Sequence, residues 1–174
     1  MVALWVACCR EAPVANTWVN DDSGQLIHRK GVTLYHEKPF SGSAYALFPS
    51  GDTALVMHYR LGKEHGVARA WYAPNTLKEC RVFVDGKKTG EHRGWYENGA
   101  LKFIHHYQND IYHGQVKEWQ SDGQMYRSFN YEEGQESGLQ QMWESDGRLK
   151  ANYEVRNGRR YGLSGSMNCL SAVR

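Results

Sequence analysis

The stretch Gly90-Glu-His-Arg-Gly-Trp-Tyr-Glu-Asn-Gly-Ala-Leu-Lys-Phe-Ile-His-His-Tyr107 contains one copy of the pattern on which the whole chain is built. Its first glycine belongs to a series spaced 24 residues apart: Gly42, Gly66, Gly90, Gly114, Gly138 and Gly162. A tryptophan follows five residues after four of these glycines, at Trp71, Trp95, Trp119 and Trp143. A register kept through so many copies predicts a repeat protein in which each copy is one supersecondary unit.

Within each copy, two strand-like runs flank a turn signal. The turns read Pro49-Ser-Gly51, Glu97-Asn-Gly99, Ser121-Asp-Gly123 and Ser145-Asp-Gly147. Asn-Gly and Asp-Gly between two such runs are the strongest short-range hairpin signal, and no segment keeps a helical period. We therefore predict an all-β fold, an elongated single-layer antiparallel sheet of consecutive β-hairpins with one hairpin in each 24-residue repeat.

The loop length decides which side chains share a face of this sheet. A three-residue loop at Glu97-Asn-Gly99 pairs Trp95 with Leu101 and, because side chains alternate, brings Tyr107 to the same face. The equivalent pairs are Trp71 with Leu77, Trp119 with Met125 and Trp143 with Leu149. We predict that one face collects the large apolar groups of every repeat. Pro74 stands at the second loop position and predicts a distorted tip in its repeat.

The repeats occupy most of the chain. We predict an apolar N-terminus and irregular lead-in over residues 1–24, the hairpin array with an N-terminal cap over 25–165, and a C-terminal tail over 166–174. Terminal repeats are commonly imperfect because they cap the array.

The cysteines bear on the compartment of the protein. The chain has four, Cys8, Cys9, Cys80 and Cys169, and their spacing matches no zinc or CxxC motif. The apolar start before Cys8 resembles the end of a bacterial lipoprotein signal, which makes Cys8 a lipidation candidate. The alternative is a frayed apolar N-terminus on a cytoplasmic protein. Localisation therefore stays open between cytoplasm and cell envelope. A disulfide between Cys80 and Cys169 requires an oxidising compartment.

Composition and motifs narrow the functional classes. The formal net charge is +2 and the basic residues are scattered, which argues against nucleic acid as a partner. The chain contains no P-loop, dinucleotide fingerprint, GxSxG or HExxH motif, so we predict neither an enzyme nor a cofactor. His92 and His105 lie near one another across one hairpin without a visible third ligand, so we predict no metal site. A metal- or ligand-binding enzyme accessory is the weakest alternative.

Basic residues accompany three of the tryptophans. Arg69, Arg93 and Lys117 each precede a tryptophan by two residues, and Gln141 takes that position in the last repeat. We predict that these cations and the tryptophans lie on one face, which can bind an acidic protein surface, lipid headgroups or single strands of nucleic acid. The sequence favours a structural account instead, in which the aliphatic stems of these residues pack over the tryptophan rings while their charges reach water.

These motifs resemble a known family. The repeated core W-Y/E/Q-x-N/D-G-x-L/M-K/R, the following Y-x-x-G-K and the opening Lys38-Pro-Phe-Ser-Gly42 are similar to the bacterial MORN-repeat variant family, often labelled the YwqK-type antitoxin family of toxin–antitoxin systems. The resemblance covers residues from about 25 to 165. It implies an elongated antiparallel hairpin array that either binds a partner toxin, as members labelled antitoxin do, or serves as a scaffold or membrane-proximal module, as other MORN-type repeats do. It supplies no catalytic residue.

Two functional hypotheses follow from these observations. The first is a non-enzymatic protein-binding or scaffold repeat protein, such as the antitoxin or immunity partner of a bacterial toxin. The second is a structural protein of the cell envelope, held at the membrane only by a lipid on Cys8.

Stacking of neighbouring repeats leads to a first testable prediction. A single hairpin is marginally stable alone, so a central repeat, which stacks on two neighbours, contributes more than a terminal one. We expect Trp119→Ala to lower the free energy of unfolding more than Trp71→Ala or Trp143→Ala, as measured by chemical denaturation. Equal losses for all four tryptophan-to-alanine variants would contradict the stacking account.

Overall fold

A computed structural model describes residues 16–164 of the chain. These residues form β-strands and one short 3-10 helix, with no α-helix among them. The chain divides into two compact units, which adjoin in sequence between Thr89 and Gly90. We call them the N-terminal unit and the C-terminal unit. Cys8 and Cys169 lie outside the described residues, as do the predicted tail 166–174 and the start of the lead-in.

The described part of the N-terminal unit contains ten strands. They are β1 Trp18–Asn20, β2 Leu26–Arg29, β3 Val32–Tyr35, β4 Lys38–Pro39, β5 Gly42–Leu47, β6 Thr53–Arg60, β7 Lys63–Glu64, β8 Gly66–Ala73, β9 Thr76–Val84 and β10 Lys87–Lys88. The 3-10 helix spans Asp21–Ser23. A strand and a helix therefore occupy part of the segment that we predicted to be irregular.

Two sheets build the N-terminal unit. Strand β1 pairs in parallel with β5, which continues antiparallel through β6, β8 and β9. Strands β2, β3 and β4 form a separate antiparallel sheet over the predicted cap. A core of Val19, Leu26, Phe40, Ala44 and Tyr59 packs residues from both sheets together, so burial of apolar surface holds the cap in place.

The C-terminal unit consists of consecutive antiparallel hairpins. Its strands are β11 Gly90–Trp95, β12 Leu101–Gln108, β13 Ile111–Tyr112, β14 Gly114–Trp119, β15 Met125–Glu132, β16 Gln135–Glu136, β17 Gly138–Trp143, β18 Leu149–Arg156 and β19 Arg159–Leu163. Their order is β11-β12-β14-β15-β17-β18-β19, with β13 and β16 paired back onto β12 and β15. The predicted all-β fold of consecutive hairpins is confirmed.

The hairpin tips have the predicted three-residue loop. At the first tip of the C-terminal unit the amide of Tyr96 donates to the carbonyl of Ala100 at 2.8 Å, and the amide of Gly99 donates to that of Tyr96 at 2.9 Å. Gly99 has φ of +81°, a left-handed conformation that glycine adopts at no steric cost. Four cross-strand pairs are confirmed: Trp71 with Leu77, Trp95 with Leu101, Trp119 with Met125 and Trp143 with Leu149.

The second repeat has a different tip, as Pro74 predicted. Its strands run closer to the turn, and Ala73 pairs with Thr76. Only Pro74 and Asn75 remain between the strands, and Asn75 takes the positive φ of +63° that glycine takes elsewhere. Asparagine tolerates this left-handed conformation better than most residues do.

A β-bulge behind each tip overturns the predicted division of side chains. Trp95 pairs with Leu101, but the preceding residue, Gly94, pairs with Phe103, so Lys102 is an extra residue in β12. The insertion shifts the pairing, and Tyr107 lies opposite Gly90 on the side of the sheet away from Trp95. The prediction that one face collects the large apolar groups is therefore wrong, because tryptophans and tyrosines lie on opposite faces. The same shift occurs in the other C-terminal hairpins, where the extra residues are Tyr126 and Lys150.

A close contact within the first C-terminal hairpin gives a stability prediction. A Cβ atom added at Gly94 would lie 2.2 Å from Cε1 of Phe103, so Gly94→Ala must displace the ring. We expect a loss of about 1–3 kcal/mol in the free energy of unfolding, measured by urea denaturation, as is typical of overpacking. In a Phe103→Ala background the same substitution should cost much less.

Gly99→Ala is the matched control. It introduces no close contact, because nothing lies within 4 Å of the added Cβ, but it places alanine at φ of +81°. That strain costs about 1–2 kcal/mol and should not depend on Phe103. An equal cost of Gly94→Ala with and without the Phe103 ring would show that the register described above is incorrect.

Candidate functional site

The predicted basic and aromatic residues lie together within each unit. Because they are two residues apart on one strand, Arg93 and Trp95 point to the same side of β11, and Lys117 and Trp119 to the same side of β14. We call this side of the C-terminal unit, which also carries Trp143, the tryptophan face. In the N-terminal unit, Arg69 and Trp71 share one side of β8 in the same way.

The positive charge of the tryptophan face is partly neutralised. The guanidinium Nε of Arg93 donates to the carboxylate of Glu91 at 2.5 Å. Lys117, by contrast, forms no salt bridge with any residue that the structure describes, and it lies opposite Ser128 of the neighbouring strand. The tryptophans themselves are half-buried. The face is therefore a mixed aromatic and polar surface and not a continuous positive line.

Apolar side chains are exposed at the last hairpin of the tryptophan face. Leu139 of β17 and Tyr161 of β19 both pair with Glu154 of the strand between them, β18. Leu163 of β19 pairs with Asn152 of β18. Together with Leu149, the partner of Trp143, these residues form what we call the terminal patch: Leu139, Leu149, Tyr161 and Leu163, which are exposed by 47%, 42%, 54% and 53%. The sequence analysis missed this patch, although the alternation of Arg159, Tyr161 and Leu163 was a signal for it.

The opposite side of the C-terminal unit carries a row of stacked rings, which we call the aromatic face. Phe103 stacks on His105 with ring centroids 4.4 Å apart, and Tyr107 stacks on Tyr112 at 4.8 Å. The row continues from Tyr112 to Tyr131 at 5.1 Å. Phe129 and Tyr153 extend it further. Such contacts are individually modest, but they join neighbouring hairpins.

A half-buried carboxylate organises the charges of the aromatic face. Glu118 Oε1 accepts from His105 Nε2 at 2.9 Å and from Arg127 Nη2 at 2.6 Å. Burial alone would raise the pKa of Glu118, but the hydrogen bonds from His105 and Arg127 outweigh it and lower that pKa. The Arg127 guanidinium also lies 5.6 Å from the centroid of the Phe129 ring.

A second guanidinium is held in the same way. Arg160 lies 5.0 Å from the centroid of the Tyr153 ring, and its Nη2 is 2.9 Å from Oε2 of Glu136. The Tyr153 hydroxyl donates to the same Glu136 oxygen at 3.1 Å. Burial and this hydrogen bond to Glu136 raise the pKa of Tyr153 to about 12. Each of these two arginines is thus bound by one ring and one carboxylate.

A groove of about 600 Å³ runs along the tips of the three hairpins of the C-terminal unit. Aromatic side chains and carboxylates line it together, among them Tyr96, Trp119, Tyr126, Glu118 and Glu144. Two hydrogen bonds link neighbouring tips beside it, one from the Tyr96 hydroxyl to the Trp119 carbonyl at 2.9 Å and one from Asn98 to the Ser121 carbonyl at 2.8 Å. These hydrogen bonds therefore link the first and second tips of the unit beside the groove.

The remaining candidate residues are placed as follows. His92 and His105 are cross-strand partners, as the sequence indicated, and His105 binds Glu118. Within residues 16–164, no group of three or more His, Cys, Asp or Glu side chains is arranged to hold a metal ion. Cys80 is buried, and Cys169, with which a disulfide would require an oxidising compartment, is outside the described residues.

The lowered pKa of Glu118 leads to a pH prediction. A carboxylate with a lower pKa in the folded state stabilises the protein above its unfolded pKa of about 4.3, and loses this contribution as the pH falls through the folded value. We expect the protein to be more stable than its Glu118→Gln variant at pH 7, with the difference shrinking below about pH 4.3. Denaturation at a series of pH values measures this difference.

Glu97→Gln serves as the control, because Glu97 is an exposed loop carboxylate of a neighbouring tip. Its stability difference from the unaltered protein should vary less between pH 7 and pH 3. The Glu118→Gln variant and the unaltered protein differ in their free energy of unfolding. If that difference stayed constant from pH 7 to pH 3, it would contradict the role assigned to Glu118.

Comparison with known proteins gave no match. No protein-family model matches the chain, and no curated protein matches it. Among residues 16–164 there is also no helix with the length and apolar character needed to cross a membrane.

Proposed function

We propose that the protein is a non-enzymatic binding module whose C-terminal unit docks a protein partner on the tryptophan face. The observation that carries this proposal is the terminal patch, where Leu139, Leu149, Tyr161 and Leu163 are exposed beside Trp143. The four side chains lie on the same face of three neighbouring strands, with Glu154 between Leu139 and Tyr161. Apolar side chains exposed together on one face mark interaction surfaces more often than scattered single ones do.

The polar surroundings of the patch also suit a protein partner. Gln141 donates to Asn152 across the strands at 3.3 Å, and both side chains lie between the apolar members of the patch. Apolar side chains interspersed with polar groups that can form hydrogen bonds match the mixed composition of many non-obligate protein interfaces. Tryptophan, tyrosine and arginine are also the residues that most often dominate binding energy.

The sheet favours binding by holding these side chains in place. Strands β17, β18 and β19 are paired along their length, which fixes the spacing of Leu139, Tyr161 and Leu163 before any partner arrives. A surface that is ordered in advance loses less conformational entropy on association.

We further propose that the partner is a toxin and that the protein is its antitoxin or immunity protein. The support is the resemblance of the repeat motifs to the MORN-repeat variant family, together with the hairpin array that these motifs predicted. In this role the tryptophan face covers a surface of the toxin and thereby blocks its activity.

A capture experiment with the immobilised full chain tests partner binding. We expect one protein from the native host to be retained, and we expect the double variant Leu139→Lys/Tyr161→Lys to lose it, because two charges in the terminal patch oppose apolar contact. Ile27→Lys is the matched control, since Ile27 is exposed on the separate sheet of the N-terminal unit. Circular dichroism confirms that each variant folds.

The identity of the retained protein then tests the toxin role. Expression of that protein alone should arrest growth, and co-expression of the intact chain should relieve the arrest. Retention that is equal for the intact chain and the patch variant would overturn the assignment of the tryptophan face. A retained protein without toxicity would overturn the antitoxin role.

A further inference from the structure

The aromatic face already binds guanidinium groups twice by the same chemistry. Arg127 lies over Phe129 and pairs with Glu118, and Arg160 lies over Tyr153 and pairs with Glu136. A planar guanidinium gains cation–π attraction from a ring and charge-assisted hydrogen bonds from a carboxylate at the same time. This pairing of one ring with one carboxylate is therefore an arginine-binding unit of the sheet.

The groove at the hairpin tips brings together a ring and a carboxylate of the same kind. Tyr126, the extra residue of its bulge, is exposed by 41% and lines the groove with Glu144. Within residues 16–164 the Glu144 carboxylate forms one salt bridge, with Lys150 at 3.3 Å, and both side chains of that pair are close to half exposed. Exposed pairs of this kind contribute little to stability, so a guanidinium can replace Lys150 at small cost.

The other charged groups of the groove are Glu118 and Lys102. Glu118 already accepts from His105 and Arg127, so its carboxylate is engaged. The Lys102 ammonium lies 5.3 Å from the centroid of the Tyr96 ring, which shows that a groove ring already attracts a cation. Lys102 also repels any further cation, so its removal should strengthen cation binding.

We propose that this groove receives an arginine side chain of the protein partner, stacked on Tyr126 and paired with Glu144. Phe103 and Glu118 of the aromatic face line the groove, so this arginine belongs to a segment of the partner that passes around the hairpin tips from the tryptophan face. The proposal rests on the partner binding proposed above and specifies the chemistry of that one contact. Arginine fits better than lysine, because its planar fork both stacks on a ring and donates two parallel hydrogen bonds to a carboxylate. The length of the groove along three tips leaves room for the backbone that carries this side chain.

An NMR titration of the isotope-labelled full chain with argininamide tests the site without the partner. We expect shifts concentrated at Tyr126, Tyr96 and Glu144, which line the groove. Citrullinamide has nearly the same shape without the charge, and it should bind about tenfold more weakly or not measurably. Lysinamide should also bind more weakly than argininamide.

Substitutions separate the site from a general charge effect. Glu144→Gln and Tyr126→Ala should each weaken argininamide binding about fivefold, whereas Lys102→Gln should strengthen it. Glu97→Gln and Tyr72→Ala are controls that remove a carboxylate and a ring outside the groove, and they should leave the affinity unchanged.

Equal binding of citrullinamide, or unchanged affinity in Glu144→Gln, would overturn the inference. These results are distinguishable from failure of the proposed function. If the partner is retained through the terminal patch while argininamide does not bind, only the arginine site is wrong. If argininamide binds as expected but no partner is retained, the site stands and the proposed function fails.

Discussion

One inserted residue in the second strand of each hairpin determines what the two faces of the sheet present. Antiparallel pairing keeps side chains in strict alternation, so an insertion transfers every later residue to the opposite face. In the first hairpin of the C-terminal unit that residue is Lys102. The tryptophan pairs with the leucine before the insertion, while the aromatic residues after it lie on the other face. Two chemically different surfaces result from one repeating sequence.

The separation of the faces allows each surface its own chemistry. On the aromatic face, Gly94 leaves space for the Phe103 ring, and the ring in turn stacks on His105, which binds Glu118. This packing connects one hairpin to the next through contacts that each contribute modestly. On the tryptophan face, polar side chains alternate with apolar ones, and apolar exposure rises at the last hairpin. The first surface therefore joins neighbouring hairpins, and the second is the one on which we propose that a partner binds.

The hairpins could be predicted from the sequence because their signals are local. Glycine at the third loop position, as in Gly99, specifies a left-handed residue and with it the three-residue tip and the pair of Trp95 with Leu101. The bulge could not be predicted in this way, since Lys102 differs in no local respect from an ordinary strand residue. The complementary fit of Gly94 and Phe103 is a signal for it, but only once the two residues are known to be opposite one another.

Non-local contacts account for the other differences between sequence and structure. Strand β1 pairs with β5 although Trp18 and Ser43 are far apart in sequence, and no local pattern near Trp18 indicates this. The groove likewise combines Tyr96, Tyr126 and Glu144 from three hairpins, with no shared motif among them. The charged partners of Glu118 come from the strands on either side, so its surroundings depend on the register of both pairings.

The register behind the first tip of the C-terminal unit is the most direct test of this account. Cross-strand nuclear Overhauser effects in the labelled chain report which backbone protons face one another in β11 and β12. We predict contacts that pair Trp95 with Leu101 but Arg93 with Ile104, as the inserted residue requires. Contacts that pair Arg93 with Phe103 would show uninterrupted alternation. They would place tryptophans and tyrosines on one face and contradict the division of the sheet into two surfaces.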